Sequence, residues 1–175
     1  IAGDFAVWHK VYFGEDANDV LSGAEETFRG LQTPTWFIVG LPGHPCPEGL
    51  VPGTTYYWRI DEVNDVHTDS PWKGDVWSFT IPPRIARDPY PGNGADFIHP
   101  DIVLGWTPGL GAQSHIVYLD ADFNDVNTAT GGMPQTDANY TPVVLAKDTT
   151  YYWRVDEFDG AGIHRGEIWS FKTIP

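Results

Sequence analysis

Cysteine is almost absent from this chain. One thiol, Cys46, stands among 175 residues, which excludes an intrachain disulfide and any cysteine-based zinc cluster. Basic residues are scarce as well: ten Lys and Arg face 24 Asp and Glu, a net charge of −14. No basic stripe is left to grip a phosphate backbone, so nucleic acid is excluded as a partner. No apolar run approaches the ~18 residues of a membrane-spanning helix, so helical membrane insertion is not expected. No segment shows the 3.6-residue periodicity of a convincing amphipathic helix either.

What the chain does contain is aromatics, at 14%, with 19 Gly and 15 Pro between short apolar runs. That is the composition of strands and turns. Its most telling stretch is Leu50-Val-Pro-Gly-Thr-Thr-Tyr-Tyr-Trp-Arg-Ile-Asp-Glu62, which returns as Leu145-Ala-Lys-Asp-Thr-Thr-Tyr-Tyr-Trp-Arg-Val-Asp-Glu157. The chain is therefore an internal repeat. Read with a period of two, Tyr56, Trp58 and Ile60 share a core face, while Tyr57, Arg59 and Asp61 face solvent or a partner. His9-Lys-Val-Tyr12 matches His115-Ile-Val-Tyr118, and Asp75-Val-Trp-Ser-Phe-Thr80 matches Glu167-Ile-Trp-Ser-Phe-Lys172. A repeat of this size suits two small sandwiches of about 100 residues each, with domains at 1–82 and 83–175. The proline-rich link Ile81 to Pro91 reads as a stiff spacer.

Leu-x-Pro-Gly-Thr-x-Tyr ahead of alternating apolar residues resembles the passage from strand E to strand F in fibronectin type III domains. Tyr56 and Tyr151 would be its corner tyrosines, bonded back to nearby backbone. Ile102-Val-Leu-Gly-Trp106-Thr-Pro108 resembles that family's strand B with its buried tryptophan. The Tyr-Tyr-Trp-Arg and Trp-Ser-Phe pairs look more closely like tandem sandwich repeats of large secreted or surface proteins of bacteria. The resemblance implies an all-β fold: two tandem Greek-key β-sandwiches of fibronectin type III-like type. The first is expected to lack its N-terminal strands, because the second repeat carries Asp88 to Trp106 ahead of its strand C and the first has no equivalent. Trp36-Phe-Ile-Val39 reads as strand E of the first repeat and Asn139 to Val144 as that of the second. The missing strands are expected from upstream residues of the same polypeptide, or else from another subunit that donates a strand.

Candidate chemistry is sparse. Acidic stretches Gly14 to Val20 and Asp120 to Val126 follow strand C, and closely spaced carboxylates suit calcium, with Asp122 and Asp125 the first ligands to test. Neither stretch fits an EF-hand, and the competing reading is a single capped turn with Asp16 or Asp122 as N-cap. No other cofactor is expected. Asp61-Glu62 and Asp156-Glu157 are neighbours on a strand and point to opposite faces, so they cannot converge on one atom and read as solvated strand-end acids. His9 and His115 read as structural positions. Cys46 reads as a bystander in the inserted loop Gly40 to Gly49, which its prolines should keep ordered.

Aromatics present in both copies, Trp58, Trp77, Trp153 and Trp169, are assigned to cores, and Trp36 beside Phe37 is read the same way. Trp8 and Trp72, present in one copy, are the candidates for an exposed stacking surface that binds a ligand. Together these features point to a non-catalytic structural or adhesive repeat, extracellular or at the cell surface, in a fibrous or surface assembly. Its partners would be other domains or subunits of the same protein. The alternative is a carbohydrate-binding accessory region of a secreted polysaccharide-degrading enzyme, with polysaccharide as the partner.

Overall fold

The structure, a computed structural model, describes residues 5–175. It divides into two compact units, Ile1–Ile81 and Pro82–Pro175.

The first unit contains β1 (Trp8–Gly14), α1 (Ala17–Ser22), a 3-10 turn (Glu25–Thr27), β2 (Phe28–Gln32), β3 (Thr55–Val63) and β4 (Val76–Thr80). Its strands form one antiparallel sheet in the order β2-β1-β3-β4. The acidic stretch after β1 is a capped helical turn. Asp16 is the N-cap, its carboxylate accepting from the amides of Asn18 and Asp19 at 2.7 and 3.1 Å, while Gly23 closes the helix in the left-handed region.

In the second unit lie β5 (Arg87–Tyr90), β6 (Ala95–Ile98), β7 (Leu104–Thr107), β8 (Ser114–Asp120), α2 (Phe123–Thr128), β9 (Pro134–Gln135), β10 (Asn139–Tyr140), β11 (Thr150–Phe158), β12 (Ile163–His164) and β13 (Ile168–Thr173). Two sheets result. One runs β10-β7-β5, and the other runs β6-β13-β11-β8-β9 with β12 paired to β11. Leu104 and Trp106 from the first sheet pack with Trp153, Val155, Trp169 and Phe171 from the second in a single buried core. This is an all-β sandwich with the fibronectin type III-like strand order, β7 holding the strand B tryptophan and β8, β11 and β13 the C, F and G positions. Both corner tyrosines accept the expected bond: the amide of Val51 donates to Tyr56 at 2.9 Å and that of Ala146 to Tyr151 at 3.0 Å.

The second face of the long strands departs from expectation. Arg59, Asp61, Arg154 and Asp156 are buried, not solvated. The reason is that α1 and α2 cover them. Arg154 donates Nε to Asp156 at 2.8 Å and Nη1 to the carbonyls of Val126 and Asn127 at 2.7 and 3.2 Å, and stacks over Tyr118 at 4.5 Å. Arg59 repeats this, pairing with Asp61 at 2.8 Å, reaching the carbonyl of Val20 at 2.7 Å and lying 4.2 Å from the Tyr12 ring. A guanidinium thus caps the C-terminal carbonyls that each short helix leaves open. Each aspartate also accepts from a glycine amide, Gly74 at 3.1 Å and Gly166 at 3.0 Å. Both positions require glycine, since a Cβ would sit 2.1 Å from a carbonyl oxygen of the long strand.

Strand E is likewise reduced. In the second unit it shrinks to Asn139–Tyr140, and Trp36 to Val39 form no strand at all. Trp36 is exposed rather than core, and Trp77 with it.

Candidate functional site: an uncovered sheet face in the first unit

β1, β3 and β4 present Val11, Phe13, Trp58, Ile60, Trp77 and Phe79 to one side, and Gln32 to Val39 runs along its margin. No strand of an opposing sheet covers this face among the described residues. The result is a crevice of about 620 Å³ with a mainly apolar wall. Ordered stacking keeps that wall in place, with Phe13 against Tyr56 at 5.3 Å, Tyr56 against Phe79 at 5.8 Å and Trp58 against Trp77 at 4.5 Å.

Comparison with the second unit shows how unusual the exposure is. Trp77 pairs with Trp58 and Phe79 with Tyr56, as Trp169 pairs with Trp153 and Phe171 with Tyr151. Trp77 and Phe79 are nevertheless 47% and 37% exposed, against 4% and 1% for Trp169 and Phe171. The core assignment of Trp77, made because it recurs in both copies, is corrected: recurrence marks the position, but burial depends on the sheet opposite.

At one end of the face His9 Nδ1 and Glu62 Oε2 lie 2.5 Å apart, and His115 with Glu157 repeats this at 2.5 Å in a buried setting. The expected solvated role of Glu157 is therefore wrong. In the second unit the pair lies beneath the edge of Trp106, 5.3 Å from the His115 ring, and the Gly109 amide donates to Glu157 at 3.4 Å. Residues 42 positions apart in the chain make this pair, and only the matching of His9-x-x-Tyr12 with His115-x-x-Tyr118 hinted at it.

Trp8 and Trp72 are not brought together. Trp8 pairs with Val63 and Trp72 with Glu62; as these are consecutive residues of β3, the two indoles start from opposite faces of the sheet. Trp8 is exposed, while Trp72 is half-buried with its ring 4.8 Å from His67. Asp122 is the N-cap of α2, accepting from the Asn124 amide at 2.7 Å, and Asp125 lies exposed in its first turn. Among the described residues no three His, Cys, Asp or Glu side chains gather where a metal ion could bind. Elsewhere in the second unit, the hydrogen bond from His164, aided by the amides of Ala161 and Gly162 and by Arg84, holds the Asp159 carboxyl well below the usual carboxylate range.

No family model and no curated protein matches the chain. Solved structures do. A crystal structure of the FN1–FN3 domains of chicken CNTN1 is 14% identical with a TM-score of 0.40, over 97% of this chain and 55% of that one. A segment of two fibronectin type III domains from chicken tenascin is 14% identical with a TM-score of 0.36, over 95% of this chain and 84% of that one. The chain thus spans about half the length of the CNTN1 segment. The fold assignment rests on the strand order and core described above.

Proposed function

We propose that this chain is a non-catalytic repeat region of an extracellular or surface-attached protein, with a structural or adhesive role. The observation that supports it is the use made of its ionisable groups. In both units the acids that recur on the long strand are engaged in holding the fold: Asp61 and Asp156 bind a buried arginine and a glycine amide, and Glu62 and Glu157 pair with a histidine. Groups so committed are not poised to move a proton onto a substrate. The resemblance to repeats of large secreted or surface proteins of bacteria points the same way.

A carbohydrate-binding role is the second reading, favoured by exposed Trp8, Trp36 and Trp77, since indole faces stack on sugar rings. Retention of the full chain on insoluble polysaccharides separates the two. Passage without retention is expected; retention abolished by Trp8→Ala or Trp36→Ala would replace the structural reading with the carbohydrate-binding one.

A further inference from the structure

We propose that the outer edge of β8 in the second unit, from Val117 to Asp120, takes up an extended segment of a partner protein in which apolar residues alternate with lysine or arginine. The first unit shows the edge by contrast. There β1 lies between β3 and β2, and β2 follows it through His9 opposite Gln32, Lys10 opposite Leu31, Val11 opposite Gly30 and Tyr12 opposite Phe28. In the second unit β9 begins the same way, with His115 opposite Gln135 and Ile116 opposite Pro134, and stops there. β11 continues to pair with the inner side of β8 as far as Asp120. No strand among the described residues lies along the outer edge beyond Ile116.

Two residues account for the difference. Gln32 and Gln135 mark equivalent positions, since the side-chain amide of each donates to two carbonyls just ahead, those of Pro34 and Trp36 in one case and of Asp137 and Asn139 in the other. Pro134 therefore replaces Leu31 and brings no N–H to the ladder. Before it, Gly132 sits on the Tyr118 ring, its amide donating to the Tyr118 hydroxyl at 3.4 Å; a Cβ there would lie 2.6 Å from Ile116 Cγ2 and 3.2 Å from Tyr118 Cε1. The chain is held against a side chain of β8 instead of along its edge.

The uncovered edge borders a crevice of about 560 Å³, with Val117 and Leu119 on one side and Tyr140 and Pro142 to Leu145 on the other. Val143 and Val144 in this wall are 87% and 82% exposed. Three features select the occupant. Open backbone groups along a strand edge are matched by another extended backbone. Apolar walls suit the alternate side chains that such a segment points to one side. The charged residues of the lining are Asp120 and Asp125, both exposed, with no Lys, Arg or His beside them, so a basic side chain is favoured. A second copy docked edge to edge would set these acids against their own counterparts, and like charges oppose that pairing. The site lies wholly within the second unit and goes beyond the structural or adhesive role, which stands whether or not this edge is used.

The test titrates the full chain, at physiological salt, with the acetylated and amidated peptide Lys-Val-Lys-Val-Lys-Val-Lys. Bound peptide should slow amide exchange between Val117 and Asp120 about tenfold and leave β2 unchanged. Two N-methylated versions, one altered at the valines and one at the lysines, keep the charge of the parent. Strand addition uses the N–H groups of one set only, so one version should bind about tenfold more weakly and the other nearly as the parent does. Asp125→Lys should weaken binding by about twofold to fivefold, while exchange along β11 stays protected. Absence of binding, equal binding of the two methylated versions, or protection that falls on another edge would overturn the proposal; equal binding would mean attraction to an acidic protein alone. A dimer of the unliganded chain that already protects Val117 to Asp120 would give the edge to a second copy and overturn it as well.

Discussion

Trp77 and Trp169 occupy the same register position in two copies of one sheet, so truncating each to alanine measures what the opposing sheet contributes. Trp169 is 4% exposed and lies against Trp153 at 4.7 Å. A tryptophan in a closed core hides about 200 Å², worth about 5 kcal/mol at 25 cal/mol/Å², in line with the ~3–5 kcal/mol of measured Trp→Ala losses. Trp77 is 47% exposed. Its buried area is about half as large, and on an open face no sealed void remains, so Trp77→Ala should cost about 1–2.5 kcal/mol. Native-state hydrogen exchange in denaturant, read separately on peptides covering β4 and β13, gives both values from one molecule each. Equal losses at the two sites would refute the claim that the first face is uncovered.

Arg154→Met should destabilise the second unit by about 3–5 kcal/mol, because Asp156 is left as a buried charge without its partner; adding Asp156→Asn should recover part of the loss, and equilibrium melts of the single and double variants check this. Asp159 has a depressed carboxyl in the folded state, so its contribution is fully present above the unfolded value near pH ~3.9 and is lost as pH falls below that toward the folded value. The thermal midpoints of the parent and Asp159→Asn should accordingly differ at pH 6 and converge in strong acid.

The features legible in the sequence were those set by local spacing. Tyr56 and Tyr151 lie five residues from the amides they accept, so the turn and its bond could be read together. The alternation of β3 correctly sorted side chains to two faces. It could not say that the charged face is covered, because a period-two pattern with charges on one side ordinarily marks a solvated face. Arg59 and Arg154 are only 2% exposed because each satisfies its charge on an aspartate two residues away and on helix carbonyls some 28 to 39 residues away. The helices were hidden for a related reason: at six residues each they are too short for a periodic signal, and only their aspartate caps showed. Trp36 to Val39 had the composition of a strand, but composition cannot supply the neighbour that a strand must bond.

The two faces of the repeated sheet differ in how self-sufficient they are, and that difference governs what the open face can do. On the helix side every partner comes from the same half of the domain: Asp16 caps α1, Val20 is buried beneath it, and Arg59 joins its last carbonyls to Asp61 and through that to Gly74. None of these bonds depends on an opposing sheet. The half-sandwich can thus hold β1, β3 and β4 in register while the other face stays uncovered, and Phe13, Tyr56 and Phe79 remain stacked as Tyr151 and Phe171 are in the closed unit. A surface whose side chains are already ordered loses little conformational entropy when it is covered. The arginine network on the helix side therefore leaves the open face an ordered, stacked aromatic surface instead of a collapsed apolar cluster.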